Sequence, residues 1–342
     1  MRTPLYEIHK ELRARFTNFH GWEMPLQYSG IVDEVKTVRT SCGLFDISHM
    51  GRLIVEGKDL LRVFQRLTTN NLDKLYPGKV QYNLLPNEKG GVKDDITVYM
   101  LSEDKLFLCV NAGSKEKVVR WLERFVTVRD ISAQTIQIAV QGRESPQVLS
   151  HFFDVAELRY YHFRTFGEVI VSRTGYTGEN GFEVYAPIEE GIKLFKSLLK
   201  TVKPCGLGAR DVLRIEAGYP LYGNELSEDI SPLEANLERF VDFSKDFIGK
   251  EAMLSKEIKR KLFGLEMIDR GIPRKGYKLY EGETEIGFVS SGTYSPTLET
   301  GIALCFVDVE RRREGKEVTL NVRGKSMRAK LRKPRFINDS KR

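Results

Sequence analysis

Two adjacent carboxylates, Asp94 and Asp95, lie within a run of strand-forming residues over 92–101. Aspartate is disfavoured in strands, and successive side chains of a strand point to opposite faces, so one of the two must point inward if the sheet packs on one side. An inward carboxylate has to find partners or change its pKa, which is a common way to build an active site. Asp94 is well explained as a residue that follows the Gly90-Gly91 turn, so Asp95 is the better candidate for chemistry.

Two further segments concentrate glycine and polar residues. Segment 172–183 has the sequence SRTGYTGENGFE and must turn sharply between two apolar runs, which exposes an aromatic ring, hydroxyls and carboxylates at one place. Segment 206–216 begins with Gly-Leu-Gly and continues as a helix, predicted over 209–219, on which Arg210 and Arg214 share one face. Each segment also has an ordinary explanation, the first as a surface loop and the second as a set of intrahelical salt bridges.

The sequence predicts no metal site and no phosphate loop. Its five histidines form no H-x-x-x-H or H-x-H pair and have no cysteine at ligand spacing. Segment 206–210 lacks the Lys and the Ser or Thr of a P-loop, and it lacks the full dinucleotide fingerprint. These patterns exclude the commonest zinc-binding and nucleotide-binding classes.

Composition predicts a folded protein of two or three domains. The 342 residues are 41% hydrophobic, which excludes disordered, collagenous and low-complexity classes. The formal net charge of +7 is unevenly distributed, because residues 311–342 hold 13 Lys and Arg against 3 Asp and Glu, whereas residues 1–310 hold 41 against 44. A basic end favours a single acidic contact surface or a solvated terminus over a nucleic-acid-binding stripe.

Cysteine usage and hydropathy predict a soluble, cytoplasmic protein. The four cysteines are far apart, have apolar neighbours and form no C-x-x-C pair, so we expect buried free thiols in a reducing compartment. No apolar run approaches the roughly 18 residues that a membrane span requires. Residues 1–4 lead directly into an amphipathic pattern, so no secretory segment and no membrane partner is predicted.

The elements around the candidate residues alternate single helices with antiparallel hairpins. Helical spacing of apolar residues predicts helices over 5–16, from residue 31, over 60–67 and over 114–125. Strand-forming runs separated by turns predict a meander over 80–110, and the alternation recurs over 135–202. Segment 19–25, with its glycine, proline and large side chains, is predicted to be a loop. The first 250 residues are therefore α+β and not doubly wound.

The character of the sequence changes from Leu262 onward. Short strands broken by glycines and charged turns predict a small all-β barrel or sandwich. The predicted strands cover residues 262–267, 276–281, 285–290, 302–308, 317–323 and 327–332. We place the boundary between the two regions near residues 255–260.

Six motifs, in this order, make the chain resemble the aminomethyltransferases, the T-protein family of the glycine cleavage system. The motifs are GWEMP at 21–25, FDISHMG at 45–51, DD at 94–95, SRTGYTGE at 172–179, GLGARD at 206–211 and SPTL at 295–298. The resemblance extends from about residue 2 to about residue 336. It implies a folate-binding catalytic region of two intertwined α+β subdomains with antiparallel sheets over residues 1–255, a C-terminal β-barrel over 256–336 and a basic tail over 337–342.

The resemblance also implies a reaction. The methylene carbon of an aminomethyl group on the dihydrolipoyl arm of H-protein passes to tetrahydrofolate as co-substrate, giving ammonia and 5,10-methylenetetrahydrofolate. The implied partners are therefore lipoylated H-protein and a small-molecule folate, and not nucleic acid. Asp95 matches the catalytic aspartate of the family, where a carboxylate stabilises developing positive charge and manages the proton on the attacking nitrogen.

By the same resemblance, nine further residues are implied to contact folate. Glu183 can accept hydrogen bonds from the amino and N–H edge of a pterin, and Arg210 can donate to its carbonyl or to a nearby acid. Flat aromatic rings, a methionine and an amide suit the remainder of the ligand. These residues are Met50, Tyr82, Tyr99, Asn111, Tyr161, Tyr176 and Tyr219. Near the C-terminus, Arg335 is a candidate for one more contact.

Three alternative functions compete with this interpretation. A folate-binding relative used in iron–sulfur cluster maintenance carries a Lys-Gly-Cys-Tyr motif that is absent at residues 206–210. The demethylating domains of sarcosine and dimethylglycine oxidising enzymes are normally fused to a flavoprotein, and this chain has no dinucleotide fingerprint. A nucleic-acid-binding protein that uses the basic C-terminus would lose binding at high salt or without residues 311–342.

Overall fold

The computed structural model describes residues 1–322 and 324–337. Over these residues the chain forms a two-stranded hairpin, a five-stranded sheet, a six-stranded sheet and a closed six-stranded barrel, together with eight α-helices. The helices are α1 (Tyr6–Glu11), α2 (Ile31–Thr40), α3 (Leu60–Leu67), α4 (Lys115–Leu122), α5 (Ser145–Ser150), α6 (Ile188–Leu198), α7 (Leu207–Glu216) and α8 (Lys250–Ser255). The predicted basic tail, 337–342, lies outside the described residues except for Ile337.

Thirteen strands precede the barrel in the described part of the chain. They are β1 (Arg15–Phe19), β2 (Trp22–Gln27), β3 (Gly43–Asp46), β4 (Gly51–Glu56), β5 (Val80–Pro86), β6 (Val92–Ser102), β7 (Lys105–Val110), β8 (Thr127–Asp130), β9 (Thr135–Gln141), β10 (Phe163–Phe166), β11 (Val169–Ser172), β12 (Gly181–Pro187) and β13 (Lys203–Pro204). The five-stranded sheet has the antiparallel order β5-β6-β7-β4-β8. The predicted meander is therefore confirmed.

The six-stranded sheet makes the two α+β units intertwined. Its order is β10-β11-β12-β9-β3-β13, and all its pairs are antiparallel except the parallel pair of β3 and β13. Of its six strands, β3 precedes the five-stranded sheet in the chain, whereas β9 to β13 follow the five-stranded sheet. The chain thus enters the second unit, builds the first and then returns, which confirms the predicted α+β class.

Apolar side chains hold these layers together. In α3, Leu60, Phe64 and Leu67 recur at helical spacing and are buried in one cluster with the five-stranded sheet. Truncating Phe64 to alanine would cost about 3–5 kcal/mol through lost burial and the cavity left behind. Between the two sheets, the rings of Phe107 and Tyr185 pack edge to face, with their centres 4.8 Å apart. The contact joins the two units into one core.

The N-terminal segment differs from the sequence prediction. The first helix ends at Glu11, and Phe16 lies in β1, which pairs with β2 as a hairpin where a loop was predicted. The hairpin turn is made by His20 and Gly21, whose φ angles are 50° and 82°. Positive φ at both central residues is what a two-residue turn between twisted strands requires. Pro25 is tolerated in β2 because it lies in a two-stranded hairpin, outside any wider sheet.

The C-terminal region is a barrel, as predicted. Its strands are β14 (Arg260–Met267), β15 (Lys278–Glu281), β16 (Thr284–Ser295), β17 (Thr300–Asp308), β18 (Glu317–Val322) and β19 (Lys325–Arg332). They close in the order β14-β17-β16-β15-β18-β19. Ile215 of α7 is buried in one cluster with Phe306 and Phe336, so the barrel packs on the helix that carries Arg210.

The four cysteines are buried free thiols, as predicted. Among the described residues, no helix is both long enough and apolar enough to cross a membrane.

Candidate active site

A cavity of about 1380 Å³ lies where the two sheets, α7 and the segment after β19 come together. Its wall includes residues of β5, β6 and β12, of the loop 173–180 between β11 and β12, and of segment 334–335. It therefore brings together residues that are up to 318 positions apart in the sequence, from Thr17 to Arg335. The predicted site residues on its wall are Met50, Tyr82, Asp95, Asn111, Tyr161, Tyr176, Glu183, Arg210, Tyr219 and Arg335.

The aspartate pair of β6 is held by Asn111, which directly follows β7. The Asn111 side-chain amide donates to Oδ1 of Asp95 at 2.8 Å and to Oδ1 of Asp94 at 2.9 Å. The second oxygen of Asp95 accepts from the Tyr82 hydroxyl at 3.0 Å. Asp95 is half-buried on the cavity wall, whereas Asp94 is fully buried and does not line the cavity.

Asp94 has a different position from the one its sequence suggested. It does not serve the Gly90-Gly91 turn, where the Asn87 side chain accepts from the N–H of Gly91 at 2.9 Å. Instead, its second oxygen accepts from the backbone N–H of Asn111 at 3.1 Å. Asp94 thus orients the amide that holds Asp95, so the pair works as a unit.

Burial raises the pKa of both aspartates. The pKa of Asp94 rises to about 8, because burial and then the nearby charge of Asp95 disfavour its ionised form, against the donors of Asn111 and Ser114. For Asp95, burial raises the pKa and the donors of Tyr82 and Asn111 oppose the rise. A carboxyl group with a raised pKa can accept a proton near neutral pH, and in its ionised form it stabilises nearby positive charge.

Aromatic rings form the apolar part of the wall. The ring of Tyr176 stacks on that of Tyr219, with centres 5.8 Å apart, and Tyr82 packs edge to face on Phe240 at 4.7 Å. Burial raises the pKa of Tyr82, Tyr161 and Tyr176 above that of a free phenol, so these hydroxyls stay neutral. Flat, uncharged surfaces of this kind suit an aromatic or heteroaromatic ligand.

Glu183 is buried on β12 and is anchored by a chain of hydroxyls. Its Oε2 accepts from Thr174 Oγ1 at 2.6 Å, and Thr174 Oγ1 lies 2.7 Å from Ser172 Oγ. The Ser172 hydroxyl lies 3.3 Å from that of Tyr99. The loop 173–180, which the sequence also explained as an ordinary loop, thus fixes a carboxylate and brings Tyr176 to the same cavity.

Tyr99 is the predicted folate contact that does not line the cavity. It is fully buried, and its hydroxyl lies 2.7 Å from that of Tyr185. Four residues along a strand correspond to about 13 Å, which carries Tyr99 from the position of Asp95 to the region where the two sheets pack on each other. In this position its hydroxyl contacts those of Ser172 and Tyr185.

The two arginines of α7 have different surroundings. Arg214 is 1% exposed, and its guanidinium bonds Asp211 at 2.9 Å, Glu225 at 3.0 Å and Ser291 of the barrel at 2.7 Å. Intrahelical pairing therefore explains Arg214 in part. Arg210 lies 5.0 Å from the ring centre of Tyr176, and its Nη1 has no hydrogen-bond partner among the described residues. A buried guanidinium N–H without an acceptor is unusual, which makes Arg210 a candidate ligand contact.

The glycines at the start of α7 allow close packing. A Cβ on Gly206 would lie 2.3 Å from the Leu26 carbonyl oxygen, and one on Gly208 would lie 2.6 Å from the Ile31 side chain. The Gly206 N–H donates to Oε2 of Glu34 at 2.8 Å. These contacts place α7 against β2 and α2, which explains the glycine pattern without a phosphate.

Sequence reasoning assigned no site residue on the N-terminal hairpin and did not assign His49. Phe19, His20 and His49 nevertheless line the cavity, and so does Arg239 from the segment before the barrel. His49 lies within the motif FDISHMG, so its position in a polar motif was an available signal. Arg239 had none. Over residues 1–322 and 324–337, no three His, Cys, Asp or Glu side chains are grouped so that they could hold a metal ion.

Comparison with known proteins places the chain in a family. The family model described as "GCVT N-terminal domain" matches residues 5–245, and "Glycine cleavage T-protein C-terminal barrel domain" matches residues 260–338. The aminomethyltransferase of Aquifex aeolicus (strain VF5) is 63% identical over 337 residues, which cover 98% of this chain and 96% of that protein. That of Geobacillus kaustophilus (strain HTA426) is 45% identical over 352 residues, with 96% of each protein covered.

A solved structure is also similar over the whole chain. The glycine cleavage system aminomethyltransferase T from Bartonella henselae superposes with a TM-score of 0.95 at 33% identity, and the match covers 99% of this chain and 98% of that one. Both regions of the fold, and not only one, are therefore shared. On these grounds the chain belongs to the aminomethyltransferases, the glycine cleavage T-protein family.

Proposed function

We propose that the chain is the aminomethyltransferase of a glycine cleavage system, with tetrahydrofolate as acceptor and lipoylated H-protein as carrier of the aminomethyl group. The products are 5,10-methylenetetrahydrofolate, ammonia and the dihydrolipoyl arm. The observation that carries the proposal is Asp95, held by Tyr82 and Asn111 on the wall of a cavity that also contains Glu183 and Arg210. Relatives up to 63% identical that are named aminomethyltransferases support the transferase activity.

The cavity suits a folate in size and chemistry. A volume of about 1380 Å³ exceeds the roughly 300–1,000 Å³ typical of small-ligand sites, which leaves room for a second reactant. Glu183 supplies acceptor oxygens for the amino and N–H edge of a pterin, and Arg210 supplies Nη1, a donor without a partner among the described residues. The rings of Tyr176 and Tyr219 supply flat apolar surface.

The reaction requires the protein to assist proton transfer, and it requires no nucleophile from the protein. Two hydrogens leave the folate nitrogens, one for the departing ammonia and one for the dihydrolipoyl sulfur, as the methylene carbon changes partners. We infer that Asp95 stabilises positive charge at that carbon and accepts a proton from the attacking nitrogen. Tyr82 and Asn111 fix the orientation of its carboxylate, so no reorganisation is needed during the reaction.

The catalytic assignment is tested with Asp95→Asn. The variant keeps the size of the side chain and removes the negative charge, so we expect turnover to fall about 10²- to 10⁴-fold. Ammonia release is measured with aminomethyl-loaded, lipoylated H-protein and tetrahydrofolate, and folate binding is measured separately and should largely persist. Asp104→Asn, in an exposed hairpin turn, is the matched control. Wild-type turnover by the Asp95 variant would rule out this role, and no folate-dependent ammonia release by the wild type would overturn the proposed function.

The alternative functions are not favoured. Relatives at 40–63% identity that match 96–98% of this chain are named aminomethyltransferases.

A further inference from the structure

Two buried polar atoms in residues of the cavity wall have no hydrogen-bond partner within the described part of the chain. The described residues contain five buried side-chain nitrogen or oxygen atoms without a hydrogen bond, and only His49 Nδ1 and Arg210 Nη1 belong to residues that line the cavity. An unpaired buried donor or acceptor costs folding stability, so native proteins seldom keep one without a use. Two such atoms in one cavity, from residues 161 positions apart, indicate that a ligand supplies their partner.

His49 is built to offer a hydrogen bond without adding charge. It is 4% exposed, lies between β3 and β4, and packs edge to face against Phe19 with ring centres 5.5 Å apart. Burial lowers the pKa of its imidazole to about 3, and the charges of Arg210 and Arg52 act in the same direction, against the opposing carboxylate of Asp46. The ring is therefore neutral at physiological pH, and its Nδ1 can either donate or accept.

We propose that His49 is a further substrate-contacting residue, whose Nδ1 binds the oxo-bearing edge of the pterin ring together with Nη1 of Arg210. The inference rests on the proposed function, which supplies the pterin. Arg210 can only donate, so its partner on the ligand must carry a lone pair, and the carbonyl oxygen of the pterin ring meets that condition. A neutral imidazole beside it adds a second hydrogen bond without placing a second cation against an uncharged ligand.

The test uses two ligands that differ at one position. Tetrahydrofolate carries the 4-oxo group, and its tetrahydro 2,4-diamino analogue replaces that acceptor with an amino donor. Equilibrium binding of both is measured by protein fluorescence, without H-protein. We expect His49→Gln, which has no atom at the Nδ1 position, to weaken tetrahydrofolate binding about tenfold while it changes binding of the diamino analogue less than twofold.

Two variants complete the experiment. His49→Asn keeps a hydrogen-bonding atom at the Nδ1 position and should retain most of the preference for the 4-oxo ligand. His151→Gln, on the exposed surface, is the matched control and should bind both ligands as the wild type does. Because both ligands are measured on the same sample, the ratio of their dissociation constants does not depend on the fraction of folded protein.

Equal weakening of both ligands, or an unchanged ratio, in His49→Gln would overturn the assignment. The proposed function is scored separately by wild-type ammonia release. A wild type that turns over, combined with an unchanged ratio in the variant, would remove only the role of His49. A wild type that prefers the 4-oxo ligand but releases no ammonia would remove only the proposed reaction.

Discussion

At the scale of single residues, the carboxylates of the cavity wall accept hydrogen bonds from side chains that are themselves held in place by further hydrogen bonds. Asn111 is positioned by its own N–H, which Asp94 accepts at 3.1 Å, and its side chain then reaches Asp95 at 2.8 Å. Glu183 is fixed in a comparable way through Thr174 and Ser172. Behind each functional carboxylate there is therefore a further polar group that does not line the cavity: Asp94 for Asp95, and Ser172 for Glu183.

His49 also makes a prediction about acid stability. A pKa of about 3 in the folded protein, against about 6.5 in an unfolded chain, means that the unfolded state binds a proton first as the pH falls. The contribution of His49 to the free energy of unfolding should therefore be constant above pH 6.5 and should fall by about 1.4 kcal/mol per pH unit between pH 6.5 and 3. Urea unfolding at pH 7 and pH 5 should show about 2 kcal/mol less acid destabilisation in His49→Gln than in the wild type.

The control for this prediction is His151→Gln, because an exposed histidine should leave the acid destabilisation unchanged. If the wild type and His49→Gln lose the same stability between pH 7 and pH 5, the buried imidazole is not the group that is responsible.

At the scale of elements, one arginine joins several segments behind the cavity. Arg39 of α2 donates to Glu216 of α7 at 2.7 Å, to Glu179 at 2.8 Å and to the Thr177 carbonyl at 2.7 Å. The other oxygen of Glu216 accepts from Ser295 of the barrel at 2.5 Å. The TGE motif thus bonds this arginine directly, and the SPTL motif is connected to it through Glu216. Together these bonds hold the loop that carries Tyr176, the helix that carries Arg210 and the barrel in one arrangement.

Arg39→Met should therefore destabilise the whole fold. The substitution leaves Glu216, which is fully buried, without its cation, and loss of one partner of a buried pair costs about 3–5 kcal/mol. Thermal unfolding should show a clear fall in Tm. The matched control is Arg62→Met, because Arg62 is 81% exposed in its pair with Asp59 and such pairs contribute about 0–1 kcal/mol. Equal Tm values for the two variants would contradict this account of Arg39.

At the scale of the whole molecule, the basic C-terminal region is partly neutralised within the barrel. Arg311 and Lys316 both pair with Glu281, and Arg328 pairs with Asp269. The excess of ten positive charges within residues 311–342, 13 basic against 3 acidic, therefore overstates the charge that this region offers to a partner. The remaining positive charge is concentrated in residues 311–342 of the sequence, beside a near-neutral region 1–310, which favours contact with an acidic protein or with the glutamate tail of folate over nucleic acid.

Salt should then affect the two substrates differently. Charges exposed on the barrel surface are screened as ionic strength rises, whereas hydrogen bonds inside the cavity are screened much less. Raising salt from about 50 to 300 mM should increase the KM for H-protein several-fold and change the Kd for tetrahydrofolate less than about twofold. Steady-state kinetics measure the KM for H-protein, and equilibrium binding over the same salt series measures the Kd for tetrahydrofolate. Equal salt dependence of both constants would show that the basic region does not serve the carrier protein.

Local patterns in the sequence determined most of the fold. Five of the six barrel strands, the meander over 80–110 and α3 follow from local residue patterns within two residues, because such patterns are properties of short segments. The remaining barrel strand, β16, extends to Ser295, five residues beyond its predicted end. The hairpin of β1 and β2 was missed since its turn places a histidine at positive φ and its second strand contains Pro25. Both features run against local preference and are supported by the surrounding structure.

The residue types of the site could be read from motifs, but their grouping could not. Asp95, Glu183 and Arg210 stand out by sequence, whereas Tyr99 belongs to the same pattern and yet lies between the sheets. The meeting of His49 with the Arg210 side of the cavity depends on how α7 packs against the first hairpin and the barrel. Which side chains share a cavity is decided by contacts between distant segments, and only the tertiary structure contains them.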